Sequence, residues 1–117
     1  VNSAMNIEEK ELSSGAFLIS LSGRLDILGT DQISLKLSGM TAAPRQAIII
    51  NMQDVTYVAS IGIRTLILAI KSVHNRSAKM CFLDCNEEIY STLCLAGLDQ
   101  FASFFANQQE AESFVLT

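Results

Sequence analysis

Few residues in this chain have a type and setting that suit chemistry, and Ser60 leads them. It sits inside Asn51–Asn75, where an apolar run passes through a short polar loop into a helical pattern at Ser60-Ile61-Gly62. A serine at a strand–loop–helix junction has two plain uses. It can cap the helix, its hydroxyl accepting from an early amide, worth ~1 kcal/mol. Or it can carry a phosphate, which would meet unpaired amides and the positive end of the helix dipole. Such a phosphate adds roughly −1.5 to −2 charges without opposing the fold. Hydrolysis is the rival chemistry, and its parts are missing. The G-x-S-x-G elbow needs glycine two residues before the serine, and Val58 stands there. His74 is the chain's one histidine and lies 14 residues beyond Ser60 on the same helical pattern. That spacing separates them by roughly 21 Å, too far for His74 to act as base; it reads as a residue at the helix's core edge.

The other candidates are weaker. Asp26, Asp54 and Asp84 fall at strand or loop ends, where aspartate is an ordinary turn residue. Cys81, Cys85 and Cys94 show no CxxC or Cys/His spacing, so they read as free buried thiols suited to a reducing cytosol. No metal-ligand spacing, paired carboxylates, GxGxxG or GxxxxGK[ST] loop is present. The sequence calls for no cofactor, no metal and no enzyme activity.

The elements that must hold Ser60 follow from the apolar periodicity. Asn6–Glu11 suits a short edge strand, and Ser13-Ser14-Gly15 a turn. Ala16–Ser22 alternates, with Phe17, Ile19 and Leu21 on one face, and Gly23 is expected to break it. Residues 24–29 read as a connection, with Thr30 or Asp31 capping a helix whose apolar positions are Ile33, Leu37 and Met40. Ala47-Ile48-Ile49-Ile50 has the character of a strand buried on both faces, at the centre of a sheet. The helix over 61–75 puts Ile63, Leu66, Ile67, Ile70 and Val73 on the sheet side. Ile61, Arg64, Thr65, Leu68 and Lys71 face the other way. Two apolar side chains among cations suit a partner-binding surface, although single exposed apolar residues are common. Ala78–Leu83 makes a further strand. Asn86 caps a helix through Ile89, Leu93 and Ala96 that Gly97 ends. Phe101–Phe105 makes a last strand, and Asn107-x-x-Glu110 starts a terminal helix. Strands first, then alternating helix and strand, give an α/β fold: one mixed, largely parallel sheet of about 4–5 strands with about 4 helices.

The totals agree. One domain over residues 5–117 is expected from 117 residues, with Val1–Ala4 a non-native or disordered leader. The net charge of −4 and the scattered lysines and arginines argue against nucleic acid as a partner. No signal segment or membrane-length apolar run is found, so a cytoplasmic protein that is not membrane-inserted is expected.

Over about Ile7–Val115 the chain resembles the STAS domain family, and most closely the bacterial anti-sigma factor antagonists. Gly23-Arg24-Leu25-Asp26 resembles the family's G-x-[LI]-D segment. Ile48–Met52 followed by Asp54-Val55-Thr56-Tyr57-Val58 is similar to its central strand. Ala59-Ser60-Ile61-Gly62-Ile63 aligns with its D-S-[ST/A]-G-[LI], and Leu95-Ala96-Gly97-Leu98 with Phe101 with its late G-L-x-x-x-F. The resemblance implies a regulatory protein of sigma-factor-dependent transcription. It would bind a serine-kinase anti-sigma factor and be expelled when that kinase, using ATP, phosphorylates Ser60. A phosphatase would reverse this. Asp26 matches the family's loop aspartate beside the phosphorylated serine, and Ile61, Arg64, Thr65, Leu68 and Lys71 fall in its docking region. Ala59 replaces the usual aspartate, Ile61 a usually small residue, and Arg64 a usual glycine. Ala59 and Ile61 favour the other use of the scaffold, an unphosphorylated subunit of a membrane permease complex or regulatory assembly.

Overall fold

A computed structural model describes residues 5–117; the expectation for Val1–Ala4 lies outside the described residues. Five strands form one sheet in the order β1 (Asn6–Glu11), β2 (Phe17–Leu25), β3 (Ala47–Val58), β4 (Lys79–Leu83), β5 (Ser103–Phe105). β1 runs antiparallel to β2 and every other pair is parallel. The parallel pairs follow from the intervening helices, α1 (Ile27–Ala42), α2 (Ser60–Asn75) and α3 (Glu87–Leu95). α4 (Gln108–Leu116) closes the chain. β3 lies at the centre, as its β-branched run requires, with Ile48, Ile49 and Ile50 fully buried.

Alternation along β3 divides two cores. Ile48 and Ile50 pack with Ile33, Leu37, Leu66, Ile70 and Val73 of α1 and α2. Ile49 points the other way, into a smaller cluster with Cys81 and Leu83 of β4 and with Ala111 and Val115 of α4.

Three boundaries differ from the sequence expectation, and all sharpen the site. β2 does not stop at Gly23. It runs on to Leu25 through irregular pairing at Ser20/Ser22 and Gly23/Arg24, and Gly23 takes φ 113°, which its missing side chain permits. α1 therefore begins four or five residues earlier than expected, capped by Asp26 and not by Thr30 or Asp31; Thr30 is instead buried inside the helix. The polar stretch after Ile50 is no loop. Residues 51–58 continue β3, with Met52, Val55 and Val58 buried, and the exposed polar residues between them masked the strand.

The later elements stand close to expectation. Asn86 Oδ1 accepts from Ile89 N (2.8 Å) and Asn107 Oδ1 from Glu110 N (3.1 Å), so both asparagines cap their helices. Gly97 takes φ 89° after α3, and Ala96 is exposed where it was expected on the packed face. A single 3₁₀ turn, Leu98–Gln100, then shortens β5 to Ser103–Phe105. Only Cys81 of the three free cysteines is buried; Cys85 and Cys94 are half-buried, against the expectation of three buried thiols.

Candidate functional site: the amino-terminal ends of α1 and α2

β2 and β3 are parallel neighbours, and both feed helices on the same face of the sheet. Their carboxyl ends meet where Leu25 pairs with Val58, and Ala59 N donates to Leu25 O (2.8 Å). Two helix amino termini thus start side by side, α1 from Asp26 and α2 from Ala59. The helices pack on each other, and two glycines let their first turns sit close against the end of β2. A Cβ on Gly62 would stand 2.8 Å from Leu25 O, and one on Gly29 would stand 1.9 Å from Arg24 O.

The two termini are capped differently. Asp26 Oδ1 accepts from Gly29 N (2.8 Å), and Arg24 Nε lies 3.4 Å from Asp26 Oδ2. The Gly29 amide first, with Arg24 beside it, holds the Asp26 carboxyl below its ordinary value. The Arg24 guanidinium also stacks over the Tyr57 ring at 4.3 Å, so this basic group is committed within the chain. α2 has no side-chain cap at all. Its cap residue is Ala59, and Ser60 is the first helical residue, which corrects the expectation of Ser60 as the cap. The first backbone hydrogen bond of α2 runs from Ile63 N to Ala59 O (3.0 Å), which leaves the preceding amides at the exposed Ser60 hydroxyl without helical partners.

The outer surface between the helices is a continuous groove. A cleft of about 520 Å³ lies at its open end, walled by Ile27, Leu28 and Ile61. A second of about 310 Å³ continues past Leu35 and Leu68, and the two share Ser34 and Thr65. Among the expected docking residues, Ile61, Thr65 and Leu68 border this groove, while Arg64 and Lys71 are exposed on the outer flank of α2. Asp26 caps α1 one residue before Ile27 and does not itself line either cleft. Ile61 is 39% and Leu68 59% exposed, so neither belongs to the core. Ile27 (78%), Leu28 (61%) and Leu35 (86%) extend the apolar surface onto α1. Sequence reasoning missed Ile27 and Leu28 because residues 24–29 read as a connection, and Leu35 because it lies off the face drawn through Ile33, Leu37 and Met40. The available signal was Asp26 three residues before Gly29, which has the spacing of a helix cap.

His74 is exposed at the far end of α2, not at a core edge as expected, and is not near Ser60. Among the described residues no cluster of His, Cys, Asp or Glu could hold a metal ion, and no helix is long and apolar enough to cross a membrane.

The family model described as the STAS domain matches residues 8–111. No curated protein matches the chain by sequence. Among solved structures, an anti-sigma factor antagonist from Mycobacterium paratuberculosis is similar with a TM-score of 0.88 at 15% identity, covering 100% of this chain and 98% of that one. The Bacillus cell fate determinant SpoIIAA in its phosphorylated form gives 0.71 at 19% identity, with 94% and 99% covered. The murine Slc26a9 anion transporter gives 0.75 at 11% identity, with 98% of this chain but 22% of the transporter covered. At these identities the likeness is one of fold, and the five strands and four α-helices observed agree with the expected α/β sheet of about 4–5 strands and about 4 helices.

Proposed function

The chain belongs to the STAS domain family, and from that premise we propose that it is an anti-sigma factor antagonist switched by phosphorylation of Ser60. Its partner in this reading is a serine-kinase anti-sigma factor that binds across the amino-terminal ends of α1 and α2. ATP supplies the phosphoryl group, which the kinase transfers to Ser60 Oγ; the hydroxyl proton is released and ADP leaves. A phosphatase restores the serine by hydrolysis. The observation that carries the reading is the state of Ser60: exposed, in the first turn of an uncapped helix, and adjacent to an exposed apolar groove.

The physical consequences are consistent with a switch. Free amides and the dipole at the start of α2 tolerate an anion there, so modification leaves the fold intact. The same anion stands next to Ile61, where a bound partner would be desolvated, and unpaired charge at such an interface is costly. Asp26, Ile61, Arg64, Thr65, Leu68 and Lys71 are the proposed partner-contacting set. With the one histidine, His74, at the far end of α2, the chain acts in this reading as the substrate of another enzyme and not as an enzyme itself.

The test is to incubate the protein with its cognate kinase and ATP and to locate the phosphate by mass spectrometry. Ser60→Asp should weaken kinase binding strongly and Ser60→Ala should not, with both variants folded. Equal binding by the two variants would remove the switch.

Ala59 favours a second reading, a STAS scaffold that works without phosphorylation in a transporter or regulatory complex. The usual aspartate beside the serine is absent, and with it a carboxylate able to orient the hydroxyl. Affinity purification separates the two readings: a kinase-like ATPase supports the first, a membrane permease the second.

A further inference from the structure

We infer that the α1–α2 groove is built to receive one amphipathic α-helix of a partner protein, with an apolar stripe on the groove and an acidic flank lying against Arg64 and Lys71. This deepens the docking reading above, resting on it for the existence of a partner but not on phosphorylation of Ser60.

The spacing of the exposed apolar residues points to a helix. Ile61 and Leu68 are seven residues apart on α2, and Leu28 and Leu35 seven apart on α1. Seven residues of helix span about 10.5 Å, the interval between the i and i+7 anchors of an amphipathic helix. The two pairs form two rungs across the groove; Ser34 and Thr65 line it between them, and the buried Leu37 and Ala69 make an apolar floor beyond.

Charge selects the flank. α2 carries Arg64 and Lys71 and no acid, a net charge of +2 with His74 neutral, whereas the whole chain carries −4. The rest of the molecule therefore carries −6, and the outer rim of α2 is a local positive field on an acidic protein. Neither cation has an ion-pair partner among the described residues, unlike Arg24 and Arg45. On the opposite wall the one charge lining the groove is Asp31, near its open end.

A third observation comes from Thr30. It is 4% exposed, its Oγ1 has no hydrogen-bond partner, and it lines the open end of the groove between Ile27 and Ile61. Buried polar atoms are usually paired. The Oγ1 itself is closed off from solvent, so it marks an unsatisfied polar atom beneath the groove and not a contact for the bound helix. The other end of the groove is closed by the chain itself. Arg76 donates to Thr41 O and to Arg45 O, and Ser72 Oγ to Thr41 O, which tie α2 to the end of α1.

The experiment uses the whole protein and synthetic probes. Two helix-stapled peptides of about 14 residues share leucines at i, i+3/i+4 and i+7; one carries glutamates on its flank and the other lysines. Binding is read by fluorescence anisotropy and mapped by amide shifts in the ¹⁵N-labelled protein. The glutamate peptide should bind about tenfold tighter than the lysine peptide at low salt, with the preference shrinking as salt rises. Shifts should concentrate at Leu35, Thr65, Leu68 and Ser72. Leu35→Asp, a change at a solvent-exposed position that the fold does not use, should abolish binding, as should Leu68→Asp. Arg64→Glu with Lys71→Glu should reverse the peptide preference.

Tighter binding of the lysine peptide, shifts outside the groove, or no binding of either peptide would overturn the inference. So would sedimentation showing that the groove pairs two copies of this chain, or that anionic phosphatidylglycerol vesicles occupy it in place of the peptide. The peptides need no kinase and no ATP. Failure at the groove with Ser60 still phosphorylated by a kinase would reject the helix alone, and failure of phosphorylation with the peptide still bound would reject the switch alone.

Discussion

Asp26 holds one end of the site through a single side chain. Its carboxylate accepts from Gly29 N and faces Arg24, and both contacts favour the ionised form. A carboxyl held below its ordinary value of 3.8 contributes stability that is complete above that value and is lost as pH falls through the lower folded value. Glu112 behaves in the same sense, because the Ser14 hydroxyl and then Gln108 donate to it. Melting temperature followed by circular dichroism should therefore fall below about pH 4. Asp26→Asn keeps an acceptor for Gly29 N and should flatten part of that acid dependence while costing little at pH 7. Asp26→Ala removes the acceptor and should lower the melting temperature at pH 7 as well. A wild-type acid profile in Asp26→Asn would show that the carboxylate's charge adds nothing beyond its hydrogen bond.

Between elements, the site depends on how closely the ends of β2 and β3 let α1 and α2 approach. Gly62 sits against Leu25, with a would-be Cβ 2.9 Å from Leu25 Cβ as well as 2.8 Å from its carbonyl. Backbone cannot step aside there as a flexible side chain would, so Gly62→Ala should destabilise by about 1–3 kcal/mol through overpacking. Gly39 gives the opposite sign. It lies in α1 with nothing within 4 Å of a would-be Cβ. Gly39→Ala should stabilise by about 0.5–1 kcal/mol, because alanine loses less backbone freedom in a helix. Urea denaturation of the two variants checks both, and equal shifts would refute the steric account of Gly62.

The same elements show what a sequence discloses. Periodicity found α2 and its buried side, since Leu66, Ile70 and Val73 recur at helical spacing and pack where they should. It found the centre of the sheet from Ile48–Ile50, and Ser60 beside Ile61 and Leu68. It lost α1's first turn and the second half of β3 for one physical reason. Exposure breaks the apolar-in, polar-out rule by which elements are recognised: Ile27 and Leu28 face solvent at the start of α1, and in β3 the buried Met52, Val55 and Val58 are separated by exposed pairs that end in Asp54 and Tyr57. Ser60 was legible as a junction residue, but its role at the junction was not. Serine is a common cap, and only the backbone at Ala59 assigns that position to the residue before it.

On the scale of the whole molecule, the sheet is covered unequally. One face carries a cluster of 21 buried residues under α1, α2 and α3, and the other a cluster of seven, held down by α4. Burial on the second face rests on Ala111 and Val115, with Phe114 half-buried beside Phe105 and under the Lys79 ammonium. An element with so little apolar contact should open below the global unfolding free energy. Cys81 reports that opening. It is fully buried beneath α4, and burial pushes its thiol up to about 12, so at pH 8 it is neither accessible nor ionised while α4 is docked. In a Cys85→Ala/Cys94→Ala background, Cys81 should react with a disulfide reagent at urea concentrations below those that remove the far-ultraviolet helix signal. Val115→Ala should bring that reaction to lower urea while shifting the global transition less. A labelling transition that coincides with global unfolding in both proteins would mean that α4 and the sheet open as one unit. The groove lies on the opposite face of the sheet from α4. Peptide binding there should therefore raise the global transition by mass action and leave the early Cys81 reaction almost unchanged.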